Sequence, residues 1–280
     1  MIPNATILCC IITLFISMFL PLILLLVFAL RNRKQGIVSA WIIGALGFFI
    51  PQMLIRLPIL TLLSPQLAKF VVFSPLLYAL TLAVTAGLFE LAGRILAAKV
   101  MGNRLTPKRA LAAGLGHGGI EAMVIIGISY INNLVYIVMM QTGTFDALLA
   151  QNASSPEVVA QLEQVRTALV STSPAMFLLA GYERLLTMVC QAAMSVMVCY
   201  GMASGKPGKY ILLCLGLHTL LDSTAGISLY IGKGLSQSAG YLIIYAILTA
   251  AAILSMVILR TILRRWAEVS KQEVAYDPQA

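Results

Sequence analysis

Gly114-Leu115-Gly116-His117-Gly118-Gly119-Ile120-Glu121-Ala122 lies inside an apolar run that continues to about Met140. A histidine and a carboxylate four residues apart share one helical face, about 6 Å apart along an axis that rises ~1.5 Å per residue. Both groups can therefore serve one site. An ionisable side chain in hydrocarbon is costly unless it meets a polar partner or a cavity, so its presence there points to function. The glycines of the stretch predict close approach of a neighbouring helix, and a face buried against protein rather than lipid.

The rest of the chain supports a membrane setting. Of 280 residues, 60% are apolar and 10% charged, against roughly 45–50% and about 25% in soluble domains. The fold class is all-α, a polytopic transmembrane bundle integral to the membrane. A net charge of +9 would direct attention to nucleic acid in a soluble protein. Here it reports lysine and arginine retained on the cytoplasmic side, so the partner is the lipid bilayer and not nucleic acid. Cys9, Cys10, Cys190, Cys199 and Cys214 all fall in apolar runs without a CxxC and read as small core residues. The first apolar run has no basic residue before it and is long for a signal-peptide core, so it reads as a retained helix.

A span of ~30 Å of hydrocarbon needs about 20 mostly apolar residues. Seven such runs are predicted, at roughly 5–30, 37–63, 71–98, 111–140, 174–202, 209–231 and 239–262, within a single transmembrane domain over residues 1–265. Their connections differ in charge. Arg31, Arg33 and Lys34 follow the first run, Lys99, Arg104, Lys108 and Arg109 the third, Lys206 and Lys209 the fifth, and Arg260, Arg264, Arg265 and Lys271 the seventh. The opposite connections hold Lys69, Arg166 and Lys233. The positive-inside rule then predicts an external N-terminus and a cytoplasmic C-terminus. The longest connection, 141–173, is external on this reading. Its Ser155-Pro156-Glu157 is a helix start, followed by Val158, Leu162, Val165 and Leu169 at helical spacing; the segment is a loop helix packed on the bundle or an interfacial lid. Residues 266–280 read as a short polar cytoplasmic tail, with Trp266 at the headgroups.

Both histidines sit in apolar runs, and His218-Thr219-Leu220-Leu221-Asp222 repeats the spacing of His117 and Glu121 on another helix. Counted from the basic ends of their helices, His117 and Glu121 lie ~9 and ~15 Å deep, and His218 and Asp222 ~14 and ~20 Å deep. Glu183, beside Arg184, is near the midplane on the fifth helix. These groups are predicted to share one polar cavity, with Arg184 orienting a carboxylate. Asn132 and Asn133 read as interhelical hydrogen-bonding residues. Glu90 and Arg94, spaced i,i+4, read as a structural pair, and Arg56 as a residue that snorkels to the headgroups.

Such a cavity permits three chemistries: a glutamate acting as general base on water with histidine stabilising the oxyanion; zinc bound by histidines and carboxylates; or proton or metal transport. HExxH, GxSxG and the lysine and serine or threonine of a P-loop are absent from the relevant stretches, which removes the commonest zinc-protease helix, a serine hydrolase elbow and a phosphate loop.

The ordered set Gly116-His117-Gly118-Gly119-Ile120-Glu121-Ala122, Glu183-Arg184 and His218-Thr219-Leu220-Leu221-Asp222 resembles the motifs of the YhfC-type membrane proteins. That group is similar to the glutamic intramembrane proteases of the PrsW and CAAX-prenyl-protease/ABI type. The likeness covers roughly residues 110–225. It implies that Glu121 takes the position of a water-activating glutamate, that Glu183, preceded by Phe177, matches the second motif, and that His218 with Asp222 matches the third. The first motif departs from the pattern: HGGIE has no adjacent second glutamate and no lysine or arginine one turn later. The resemblance thus implies a glutamic intramembrane endopeptidase without a cofactor, acting on a polypeptide with a transmembrane or membrane-adjacent segment. Its catalytic residues would be Glu121, Glu183, His218, His117, Asp222 and Arg184. The rival readings are a transporter, a zinc protein or zinc protease with His117, Glu121, His218 and Asp222 as ligands, and a non-catalytic receptor or chaperone.

Overall fold

The computed structural model describes residues 2–228, 230–231 and 233–276. Among these residues there are seven helices long and apolar enough to cross a membrane. They are α1 (Asn4–Arg31), α2 (Ile37–Leu62), α4 (Pro75–Arg104), α5 (Pro107–Thr142), α8 (Pro174–Ala203), α9 (Pro207–Ser228) and α10, whose apolar part is Gln237–Glu268. Three shorter helices join them: α3 (Ser64–Phe73), α6 (Thr144–Gln151) and α7 (Pro156–Ser171). The described residues hold no strand, only an isolated bridge between Ile231 and Leu235.

Punctuation in the sequence accounts for the ends. Pro75, Pro107, Pro156, Pro174 and Pro207 each open a helix, where a missing N–H and a fixed φ carry no penalty. The third span begins at Pro75 rather than near 71. Residues 64–73 form their own helix, and the Ser74 hydroxyl caps the next by accepting from Leu77 N at 3.4 Å. Gly143 ends α5 at φ 76°, a left-handed conformation that glycine adopts without a Cβ clash. Two of the three π-helical stretches, Phe15–Phe19 and Phe49–Arg56, adjoin or contain a proline, Pro21 and Pro51, whose absent N–H breaks the regular ladder.

The chain divides into two compact units. The first comprises Met1–Leu22 and Ala122–Leu185. Its core gathers Cys10, Tyr130, Ile137, Leu169 and Phe177. The Phe177 carbonyl accepts from Thr13 Oγ1 and from Tyr130 Oη, both at 2.8 Å. The predicted helix after Ser155 is present as α7, with Leu162 and Leu169 buried, and Arg166 pairs with Asp146 while lying 4.7 Å from the Phe145 ring centroid. Asn132 is exposed on α5 and Asn133 half-buried.

The second unit comprises Ile23–Glu121 and Leu186–Ala280. Small residues set its packing. A Cβ on Gly116 would collide with the carbonyl of Trp41, and one on Gly44 with the carbonyl of Ala113. On Gly114 it would stand 2.7 Å from the Ala192 Cα. The glycine face of α5 is therefore buried against α2 and α8, as its composition predicts. One reading is corrected here. Arg56 does not reach outward; it is buried and donates to the Leu82 carbonyl at 2.8 Å and to Thr85 Oγ1 at 3.2 and 3.3 Å, bonds that offset the loss of water. Trp266 is buried with its ring 5.5 Å from that of Tyr200, because α10 continues as one helix, Gln237–Tyr276, and carries that face along the bundle. Residues 277–280 of the expected tail lie outside the described residues.

Candidate active site

The second unit brings an ionisable cluster together around a residue that the sequence reading assigned only to a structural pair. Glu90, on α4, is 4% exposed. Its Oε2 accepts from His117 Nε2 of α5 at 3.0 Å and from Arg94 Nη2 of its own helix at 3.3 Å. Its Oε1 lies 3.7 Å from His218 Nε2 of α9. Gln191, on α8, completes the group: its Nε2 donates to Glu90 Oε2 at 3.3 Å and to Glu121 Oε2 at 2.5 Å, and its Oε1 accepts from Arg94. His218 Nε2 also faces Asp222 Oδ2 at 3.3 Å.

Helix geometry explains why these atoms meet. Glu90 and Arg94, His117 and Glu121, and His218 and Asp222 are three i,i+4 pairs, each projecting both members from one face. Glycines admit the side chains that fill the space between helices. A Cβ on Gly87, one turn before Glu90, would sit 3.3 Å from His218 Cδ2, and one on Gly118 would sit 2.9 Å from Gln191 Cβ. The edge of the His117 ring meets Phe48 at 5.4 Å between centroids. His117, His218, Glu121, Arg94 and Gln191 are all buried, whereas the Asp222 side chain is 39% exposed. Asp222 is the open edge of an otherwise enclosed group.

Four of the six site residues expected from the sequence, His117, Glu121, His218 and Asp222, are therefore gathered in this unit. Glu183 and Arg184 belong to the first unit, where their side chains pair with each other. Glu90, Arg94 and Gln191 are the additions. Glu90 and Arg94 carried a legible signal, a third i,i+4 ionisable pair ~21 and ~15 Å from the basic end of α4, the same depth as the histidine pairs. Gln191 carried none beyond being polar in an apolar run.

Two imidazole nitrogens and a carboxylate are donors that zinc accepts. Their arrangement differs from a ligand set, since both Nε2 atoms are turned onto Glu90 itself. Among the described residues, no group of three or more His, Cys, Asp or Glu is arranged to hold a metal ion. In this arrangement the residues do not fit a bound zinc.

Comparison with known proteins places the cluster in a family. The model of the family described as YhfC intramembrane metalloprotease matches residues 16–244, a range that contains every residue of the group. The chain belongs to the YhfC family. It is 31% identical over 242 residues, 85% of this chain and 90% of the relative, to the "Uncharacterized membrane protein YhfC" of Bacillus subtilis (strain 168). No solved structure matches. Membership of the YhfC family makes the chain an integral membrane protein of an intramembrane protease family, as the motifs in α5 and α9 lead one to expect.

Proposed function

We propose that this protein is an intramembrane endopeptidase that hydrolyses a peptide bond of a membrane or membrane-adjacent polypeptide by glutamate-activated water. The observation that carries the reading is the convergence of His117 and His218 on Glu90, with Glu121 held beside it through Gln191. Hydrocarbon supplies neither a nucleophile nor hydrogen-bond donors. Peptide hydrolysis there needs a protein-built group that binds water, moves its proton and steadies the developing oxyanion.

The contacts divide the roles. Arg94, His117, His218 and Gln191 surround the Glu90 carboxylate, so Glu90 acts as an anchor that orients both imidazoles. Glu121 takes a proton from water as the water oxygen bonds to the scissile carbonyl carbon. His117 steadies the oxyanion. His218, backed by the half-exposed Asp222, delivers a proton to the amine nitrogen as the C–N bond breaks. Gln191 fixes the direction in which Glu121 faces, and Arg94 fixes which end of the Gln191 amide is the donor. Glu183 and Arg184 have no step in this scheme. Substrate would enter at Asp222, the open edge.

A second reading follows the family description: with their side chains turned away from Glu90, His117 and His218 would hold a zinc ion, which would supply Lewis-acid chemistry. The deciding experiment needs no known substrate. Protein N-termini would be mapped in membranes of cells expressing the wild type, Glu121→Gln or His218→Ala, with metal content measured on each purified protein. New N-termini inside or beside transmembrane segments, present only with the wild type and metal-free, are the expected result. The same termini accompanied by about one zinc per chain, lost in His218→Ala, would replace the glutamate mechanism by the metal one. Identical termini in all three strains, at equal protein levels, would overturn the protease reading.

A further inference from the structure

Away from the ionisable cluster, the second unit carries an apolar groove of about 480 Å³ formed by α8, α9 and α10, a volume typical of small-ligand sites. Leu213, Leu254 and Val257 line it while remaining half exposed, and a Cβ on Gly216 would meet nothing within 4 Å, so the floor is open at Gly216. Lys209 and Arg265 line the same groove. Lys209 lies in the first turn of α9, and its Nζ is 5.8 Å from the Tyr210 ring centroid. Both cations lie at sequence positions of the predicted basic side, and no carboxylate among the described residues pairs with either. Gly216 is seven residues from Lys209 and Leu254 eleven from Arg265, so the apolar part runs about 10–16 Å from the cations. One leaflet is about half of a ~30 Å hydrocarbon core.

We infer that this groove is a binding site for an anionic phospholipid, with one acyl chain along Leu213, Gly216 and Leu254 and the phosphate between Lys209 and Arg265. Two features select that occupant. The depth equals one leaflet of acyl chain, and two cations at the mouth with no carboxylate partner among the described residues complement a phosphate without a neutralising choline. Basic pockets between transmembrane helices bind anionic headgroups in this manner. The site is distinct from the Glu90 cluster, and the inference stands whether or not the chain cleaves peptides.

Native mass spectrometry of the detergent-purified protein titrated with phosphatidylglycerol, cardiolipin or phosphatidylcholine tests it. Each cation near an anionic headgroup contributes roughly fivefold, so the wild type is expected to prefer phosphatidylglycerol to phosphatidylcholine by about 30-fold for its first bound lipid. Lys209→Gln with Arg265→Gln should bring that preference to within about threefold. Gly216→Leu, which fills the floor and leaves the cations in place, should weaken both lipids together. A greater gain for cardiolipin than for phosphatidylglycerol would support a two-phosphate headgroup in the same site. Equal binding of the charged and zwitterionic lipids, or a preference unchanged in the double variant, would overturn the inference. So would a wild-type dimer that Gly216→Leu dissociates with no lipid preference, since the occupant would then be a second copy of this chain. Thermal melting checks that each variant is folded; should Gly216→Leu fail to fold, the double variant decides alone.

Discussion

Removing either Glu90 or Arg94 alone should destabilise the second unit strongly, and removing both together should restore much of the loss. Glu90 faces two imidazoles, the Arg94 guanidinium and the Gln191 amide, all within 3.7 Å, and both Glu90 and Arg94 are at least 96% buried. Breaking a buried ion pair by deleting one partner leaves an uncompensated charge and costs about 3–5 kcal/mol, whereas replacing both partners by apolar groups is often neutral. At about 2–4 °C per kcal/mol for a chain of this size, Glu90→Ala should lower the melting temperature by about 6–20 °C. Arg94→Met should do so by a comparable amount. The double variant Glu90→Ala/Arg94→Met should melt above either single one. The assay is thermal melting of detergent-solubilised protein followed by intrinsic fluorescence, with proteolytic activity lost in all three variants. A Glu90→Ala protein that melts within 2 °C of wild type, or a double variant whose losses simply add, would refute the claim that Glu90 is the charged hub of the site.

Three other outcomes are expected. Glu183→Gln, which removes the carboxylate that pairs with Arg184 in the first unit, should reduce the appearance of new membrane N-termini by less than tenfold, while Glu121→Gln removes them; equal loss in both would return Glu183 to the chemistry. Gly116→Val should lower the melting temperature of the solubilised protein, since a side chain there meets the Trp41 carbonyl and overpacking costs about 1–3 kcal/mol; an unchanged melt would mean the α2–α5 contact is looser than described. Arg56→Met should lose about 1–3 kcal/mol, because the Leu82 carbonyl and Thr85 hydroxyl lose a buried donor, and Arg56→Lys should recover part of it; a Met variant as stable as wild type would return Arg56 to the headgroups.

The fold was legible in the sequence to a degree uncommon for a soluble chain, for a physical reason. In lipid the backbone must satisfy itself, so an apolar run of about 20 residues has one stable form, and all seven predicted runs appear with shifts of a few residues at their ends. Four members of the cluster, His117, Glu121, His218 and Asp222, were legible because they are costly in hydrocarbon and because i,i+4 spacing places each pair on one face. What escaped reading was pairing between helices. Arg56 was referred to the membrane surface by residue type, yet it is held inside by a partner far away in the chain, the Leu82 carbonyl. Glu90 was discounted because a local arginine explained it, although a local partner does not preclude remote ones. Gln191 could not have been singled out, since a neutral amide in a helix becomes significant only through what it touches.

The charge balance of the cluster shows why a neutral amide belongs at its centre. Glu90, Glu121 and Asp222 are gathered with Arg94 and with two histidines whose charge depends on protonation. Asp222 relieves its share by facing outward, 39% exposed, and Glu90 is matched by Arg94 at 3.3 Å. Glu121 is the remaining carboxylate, and its Oε2 accepts from Gln191 Nε2. A lysine or arginine at 191 would set a second cation against Arg94, and a glutamate there would set three acids around one point. An amide at 191 donates to Glu90 and to Glu121 and accepts from Arg94 at the same time, a combination open to neither an acid nor a base, because an ionised carboxylate only accepts and lysine or arginine only donates.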